Sequence, residues 1–385
     1  MTLDVAAIRE REFPWAARGD AIYLDHASTG PLPMRARRAL EEQGLRRAEP
    51  FRLRADDLFP VLQRARDAAA ALIGAPPGTV ALMTNTSHGV NLAARALPFG
   101  AGDVVLSTAG EFPANVYPWM AATRARGAEF RMLPLAGGLP DEAAILRAIE
   151  DDPRVRGVAV SWVSFWNGFR FDLEALGAAC HRHGKWLFVD AIQGVGAAEL
   201  DVVRANVDIL ACGAQKWLLS PWGTGFCYVR PELITQLEPA EVGWMAQPAT
   251  ADFTRFLDYD PAWFDDARRF EVVTLDFVNF AAMTASLSVF LEVTPAAAAA
   301  RVRALGDRAA AFVADHRGVT LASPADPARR AGVIAIRAAD LAAASQRLRD
   351  AGVSHAVREG CIRLSPHFYT TEAELDCALE LLAGR

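Results

Sequence analysis

Between Thr79 and about Arg230, short β-branched and apolar runs alternate with longer amphipathic ones. Few architectures accommodate that alternation other than a doubly wound, mostly parallel sheet covered by helices. Strands are expected at Val80–Met83, Val104–Ser107, Phe130–Leu133, Val155–Ser161, Trp186–Asp190 and Ile209–Cys212, with Phe226–Val229 as a further, antiparallel one. Helices are expected at His88–Ala96, Val116–Arg126, Asp141–Ile149 and Asp172–His183, the last ended by Gly184. After Trp244 the pattern loosens into an aromatic, proline-containing stretch, and a long helical region resumes near Phe277. From Gly318 onward strands and helices mix at shorter spacing. The expected class is α/β: an N-terminal segment 1–20, a large domain 21–276 and a smaller α+β C-terminal domain 277–385. A chain of 385 residues is too long for a single growing core, which agrees with that division.

Composition removes several function classes. Apolar residues make up 52% and the net charge is −6, so neither disorder nor a polyanionic partner such as nucleic acid is indicated. The N-terminus mixes acids and arginines, and no apolar run is long enough to span a bilayer, so a soluble cytoplasmic protein without a membrane partner is expected. Cys180, Cys212, Cys227, Cys361 and Cys377 are scattered singly, with no histidine at metal-ligand spacing, and are expected to be reduced, mostly buried thiols. His181 and His183 read as solvated helix-end residues, and no metal site is expected.

The basic residues say more. Of 40 lysines and arginines, only Lys185 and Lys216 are lysine. What an ammonium can do and a guanidinium cannot is lose its proton and attack a carbonyl. Asp190 ends one expected strand and Lys216 follows the next, so both fall at the carboxyl edge of the sheet, where doubly wound folds place ligands. Lys185 begins the strand that Asp190 ends, roughly 16 Å away at the opposite edge, and reads as an ordinary surface charge.

A reactive lysine and a buried carboxylate are two of the four parts of a pyridoxal 5′-phosphate (PLP) site; the others are an anion cradle and a flat group over the ring. Thr84, Asn85, Thr86 and Ser87 lead from a strand into a helix, gathering hydroxyls and free backbone N–H groups at a helix N-terminus. Ser87 alone would equally serve as a cap. Phe112 is a candidate to stack on the ring, and Gln193, three residues past Asp190, to meet the ring hydroxyl. Gly194-x-Gly196 opens like a dinucleotide fingerprint, but Glu199 replaces its third glycine and no strand-helix-strand unit begins there.

The segments YLDHASTGPLP, MTNTSHGVN, GEFPANVYPW, FVDAIQGVG, GAQKWLLSPWGTGF, RRFEVVT and CIRLSPHFYTTEAEL occur in the order found in class V aminotransferases of PLP fold type I, and the chain resembles that family over nearly its whole length. The resemblance implies Lys216 as the Schiff-base lysine and Asp190 as the partner of the pyridine nitrogen. It implies Gln193 at the ring hydroxyl, and Thr86 and Ser87, with Gln215, at the phosphate. Arg363 matches the arginine that grips the substrate α-carboxylate. Asn167 and His367 are further substrate-side candidates, His367, beside Arg363, reading more ordinarily as a surface histidine. The family builds its sites at a homodimer interface, so Thr274 is expected to reach the partner's phosphate. Three features depart from the pattern. Phe112 stands where the family often has histidine, Gly213-Ala214-Gln215 replaces the Ser-Gly-His of desulfurases, and the loop that delivers a desulfurase thiol is missing. Cys361 instead shares a strand face with Arg363, a setting in which a thiol is ordinarily a small hydrophobe.

These residues and the resemblance together imply an enzyme acting at the α-carbon of an amino acid. Aminotransferase chemistry stands first, with a β-eliminating C–S lyase and an epimerase as alternatives and cysteine desulfurase behind them. A nicotinamide oxidoreductase or a non-catalytic PLP-binding regulator would be a different class, and no DNA-binding module is appended.

Overall fold

In a computed structural model, residues 3–384 are described. A seven-stranded sheet runs in the order Val80–Met83, Gly225–Val229, Ile209–Gly213, Trp186–Asp190, Val155–Ser161, Val104–Thr108, Glu129–Leu133. All neighbours are parallel except Gly225–Val229, which is antiparallel to both of its partners. Most of these strands are buried on both faces, which is why they read as continuous apolar runs and not as alternating ones. Helix Thr86–Ala96 lies close on the sheet: a Cβ added to Gly89 would sit 2.6 Å from the Cβ of Ala211.

Strand order reverses between Val104–Thr108 and Val155–Ser161. The chain leaving Thr108 crosses toward the end of Val155–Ser161, and the crevice at such a reversal is the default ligand site.

A second sheet, antiparallel and four-stranded, runs Ala356–Arg358, Cys361–Leu364, Ile334–Ala338, Val319–Leu321. Leu305, Val313, Ile334, Ile362, Leu364 and Leu379 form a separate core under the helices Pro295–Asp315 and Glu372–Ala383. The stretch 22–25 joins this unit, while Ile8, Phe13 and Ala16 before it pack in the core of the large one. Ile22–Tyr23 pairs in parallel with Val353–Ser354, and Asp25 bridges Ser365. Conversely, Phe277–Val293, where the small domain was expected to begin, packs on Met34–Ala48 and Ala55–Leu72 of the large unit. The chain leaves the large unit after this helix, at Thr294, whose φ of 69° marks the sharp turn into Pro295–Asp315. Helices Met34–Ala48 and Ala55–Leu72 carry no strand-helix alternation and were not foreseen.

No single helix among the described residues is long and apolar enough to cross a membrane, and no cluster of His, Cys, Asp and Glu among them suits a metal. All five cysteines are free and four are buried.

Lys185 departs from expectation. It is buried, not a surface charge, and its ammonium donates to the carbonyls of Ile149 and Asp152 (2.9 Å to the latter), covering the end of helix Glu142–Asp151. His181 also has company: it lies against Asp208 and Arg230.

Candidate active site

Lys216 follows Ile209–Gly213 in a loop that the surrounding chain holds in place. Ala214 N–H donates to Thr224 O at 3.0 Å, Gly30 N–H to Gln215 O at 2.9 Å and Leu219 N–H to Lys216 O at 3.1 Å. A Cβ at Gly30 would lie 2.1 Å from the Lys216 carbonyl, so only glycine lets the N-terminal loop come this close. Leu219, fully buried, is held at φ 54°, a strained conformation of the kind that persists where the surroundings over-determine it. Burial pushes the Lys216 amine down to about 8, against the pull of Asp190.

Asp190 accepts a hydrogen bond from Ile192 N–H at 3.1 Å with Oδ1, and Oδ2 makes none among the described residues. Burial raises its pKa to about 6, with Lys216 acting in the opposite direction. An oxygen with no donor in so buried a carboxylate fits a protonated ring nitrogen.

The anion cradle lies where the sequence placed it, with one correction. Asn85, not Ser87, caps the helix, accepting from His88 N–H at 3.0 Å, and the helix begins at Thr86. The N–H groups of Thr86 and Ser87 therefore belong to its first turn and have no partner within the helix. Thr86 Oγ1 accepts from Gly213 N–H at 2.8 Å. Gln215 Oε1 is buried without a partner, and a Cβ at Gly213 would fall 2.6 Å from it and 3.0 Å from Thr86 Oγ1. Turning the Gln215 amide over would present N–H to an anion instead. An orphaned amide, a helix N-terminus and a gap that only glycine leaves open fit a phosphate group, so the residues present suit PLP.

Phe112 is partly exposed, 5.5 Å from Lys216 Nζ to its ring centroid, with its edge against Phe165 at 5.2 Å. Its position is set by Glu111, which sequence reasoning missed. Glu111 Oε1 accepts from Ser161 N–H at 2.7 Å, Oε2 meets Ser161 Oγ, and Asn115 Nδ2 donates to Oε2 at 3.2 Å. Ser161 is the sheet partner of Asp190, so this carboxyl ties the ring-covering loop to the Asp190 strand across the strand-order reversal. Burial, reinforced by Asp190, raises its pKa to about 7 against those hydrogen bonds. The glutamate beside Phe112 in GEFPAN was the available signal.

Gln193 donates to Ala27 O at 2.9 Å and accepts from Trp217 Nε1 at 2.8 Å, so it braces the residue after Lys216. Arg363 is buried at the joint of the two units. It donates to Phe165 O at 2.8 Å, Ser28 Oγ at 2.6 Å and Asp25 Oδ1 at 3.1 Å.

The two further substrate-side candidates are both engaged within the protein. Asn167 is fully buried and accepts from Phe169 N–H at 2.9 Å, bracing its own turn. His367 is not a surface residue. It is fully buried, its Nδ1 accepts from Phe368 N–H at 2.9 Å, and its Nε2–H therefore donates to Trp217 O at 2.9 Å, behind the reactive loop. Beside it His26 donates from Nδ1 to Ser365 O at 2.8 Å and accepts at Nε2 from Tyr369 O–H at 2.7 Å. Thr274 is exposed and accepts from Trp244 Nε1 at 2.9 Å.

Comparison with known proteins accords with this geometry. The family model for aminotransferase class-V matches residues 22–377. Isopenicillin N epimerase of Streptomyces clavuligerus is 31% identical over 378 residues, covering 94% of this chain and 95% of that protein. A probable cysteine desulfurase of Methanothermobacter thermautotrophicus is 32% identical over 276 residues, covering 70% of this chain and 66% of the relative. Among solved structures, the complex of the cystine C-S lyase C-DES with its reaction product cysteine persulfide superposes with a TM-score of 0.86 at 24% identity, covering 97% of this chain and 99% of that one, which shows the fold. The chain belongs to the class V aminotransferase family, and it is an enzyme with pyridoxal phosphate as its cofactor.

Proposed function

We propose that the protein is an amino-acid aminotransferase in which Lys216 is the single base at the α-carbon. The observation that carries this is the pairing of Lys216 with Phe112 across the site, since the ring holds no proton to give from that side. Nor does Cys361 offer a ready thiol: it is buried in the strand Cys361–Leu364, and burial pushes its thiol pKa up. A buried strand thiol of this kind speaks against desulfurase chemistry.

Bound PLP draws electrons from the α-carbon of an attached amino acid. Around it the chain's own residues have distinct tasks. Asp190, whose second oxygen Ile192 leaves free, would hold the ring nitrogen in its charged form. Lys216, its amine already lowered toward neutrality by burial, takes and returns the α-proton. Thr86, Ser87 and Gln215 would hold the phosphate, Phe112 would cover the ring, and Arg363 would orient the substrate through its carboxylate.

The long match to isopenicillin N epimerase favours a second reading, α-carbon epimerisation, which uses the same residues and differs only in where the proton returns. Incubation with single amino acids, with and without added 2-oxo acids, separates the two. Transamination requires the oxo acid and yields a new one in equal amount; chiral inversion in its absence would overturn the aminotransferase reading.

The same reading includes a homodimer working in the cytoplasm. Trp222, Trp244, Phe253, Phe256, Leu257 and Tyr259 are exposed, and Trp244, Phe253 and Phe256 stand against one another as an apolar cluster of the kind that suits a protein interface. They lie in the chain segments around exposed Thr274, the residue expected to serve the partner's phosphate.

A further inference from the structure

A guanidinium grips a carboxylate with two prongs along one of two edges, Nε with Nη2 or Nη1 with Nη2. Both edges need Nη2. In Arg363 the two Nη2 protons are already engaged, one by Asp25 Oδ1 at 3.1 Å and one by Ser28 Oγ at 2.6 Å. Nη1 donates to the Phe165 carbonyl at 2.8 Å, and Nε is buried without an acceptor. A substrate carboxylate can take a two-pronged hold only by displacing Asp25 or Ser28 from Nη2.

The two differ in what they can do next. A serine hydroxyl that accepts from Nη2 still has its own proton to donate to an arriving carboxylate. Asp25 has no proton to offer and carries the same charge as the newcomer. Its backbone is fixed beside the Arg363 strand by the bridge to Ser365, and Oδ2 makes no hydrogen bond among the described residues.

We propose that Asp25 is a built-in competitor for the substrate α-carboxylate, holding Arg363 in place until a carboxylate displaces it. The proposal rests on reading Arg363 as the carboxylate-binding residue. Binding is then an exchange of one anion for another, which makes Asp25 a specificity determinant. A carboxylate can replace what Asp25 supplies to Arg363, whereas an amine or a neutral amide leaves the Asp25–Arg363 pair intact.

The test is titration of the holoenzyme with propionate, a monocarboxylate with no amino group to react, followed by calorimetry. Asp25→Asn keeps an acceptor and removes the competing charge, so the propionate dissociation constant should fall about five- to tenfold. Propionamide should bind no better to the variant than to the wild type. Ser28→Ala, which loses a donor and no charge, should weaken propionate binding. If Asp25→Asn fails to fold, Asp25→Ser carries the same expectation. Weaker or unchanged propionate binding in the folded neutral variant would overturn the proposal and make Asp25 a buttress for Arg363. Wild-type propionate affinity in Arg363→Ala would show instead that Arg363 is not the carboxylate site, a separate failure that also overturns the proposal.

Discussion

The histidine behind the reactive loop makes stability depend on pH in a way that can be calculated. His367 is fully buried and neutral, and burial lowers its pKa from 6.5 to about 4 against the opposing hydrogen bond to Trp217. The unfolded chain takes up this proton near pH 6.5 and the folded chain only near 4. Acid therefore favours unfolding throughout that window: the contribution of His367 to stability is fully present above pH 6.5, falls as pH drops and is lost below about 4. The shift corresponds to roughly 3 kcal/mol. For a chain of 385 residues this is a fall of about 4 °C in melting temperature. His367→Phe keeps an aromatic ring 5.4 Å from Trp217 but leaves Trp217 O and Phe368 N–H without partners, which costs about 1–3 kcal/mol per group at pH 7. Melting curves of the two proteins at equal concentration between pH 7.5 and 4 should thus converge, the wild type losing about 4 °C more than the variant. Parallel curves would refute the claim that this histidine is buried uncharged.

Two further outcomes are expected from the same geometry. Cys361→Ser should retain most turnover, and no persulfide should form on Cys361 after incubation with cysteine; a persulfide detected by mass spectrometry, with activity abolished in the variant, would restore desulfurase chemistry. Lys216→Ala and Thr274→Asp chains, each nearly inactive, should regain activity when unfolded and reassembled together, because a heterodimer then holds one intact site. Absence of recovery in heterodimers confirmed by native mass spectrometry would show that Thr274 does not act on its partner.

The central sheet was legible because strands buried on both faces, such as Trp186–Asp190, announce themselves as unbroken apolar runs with turn residues at their ends. The antiparallel strand Gly225–Val229 was legible for the same reason. Boundaries set by capping were harder. Asn85, Thr86 and Ser87 can each end a turn, and only the geometry shows Asn85 accepting from His88. The two unforeseen helices before Thr79 lie outside the alternation of strands and helices that marks the sheet. Contacts far apart in sequence left no local trace: the arrangement of Asp25, Ser28 and Phe165 around Arg363 joins residues nearly two hundred positions apart or more, and sequence order alone does not bring them together. Lys185 and His367 were misplaced for one shared reason. Polar residues are ordinarily exposed, and what buries these two is a set of backbone carbonyls that no side-chain pattern reveals.

The central claim is that Lys216 and not Lys185 carries the cofactor, and reduction of the holoenzyme with borohydride followed by peptide mapping tests it most directly. The account predicts a pyridoxyl label on the peptide containing Lys216, lost in Lys216→Ala and kept in Lys185→Ala, the latter being less stable because it loses its contacts to Ile149 and Asp152. A label on Lys185, or an undiminished label in Lys216→Ala, would contradict it.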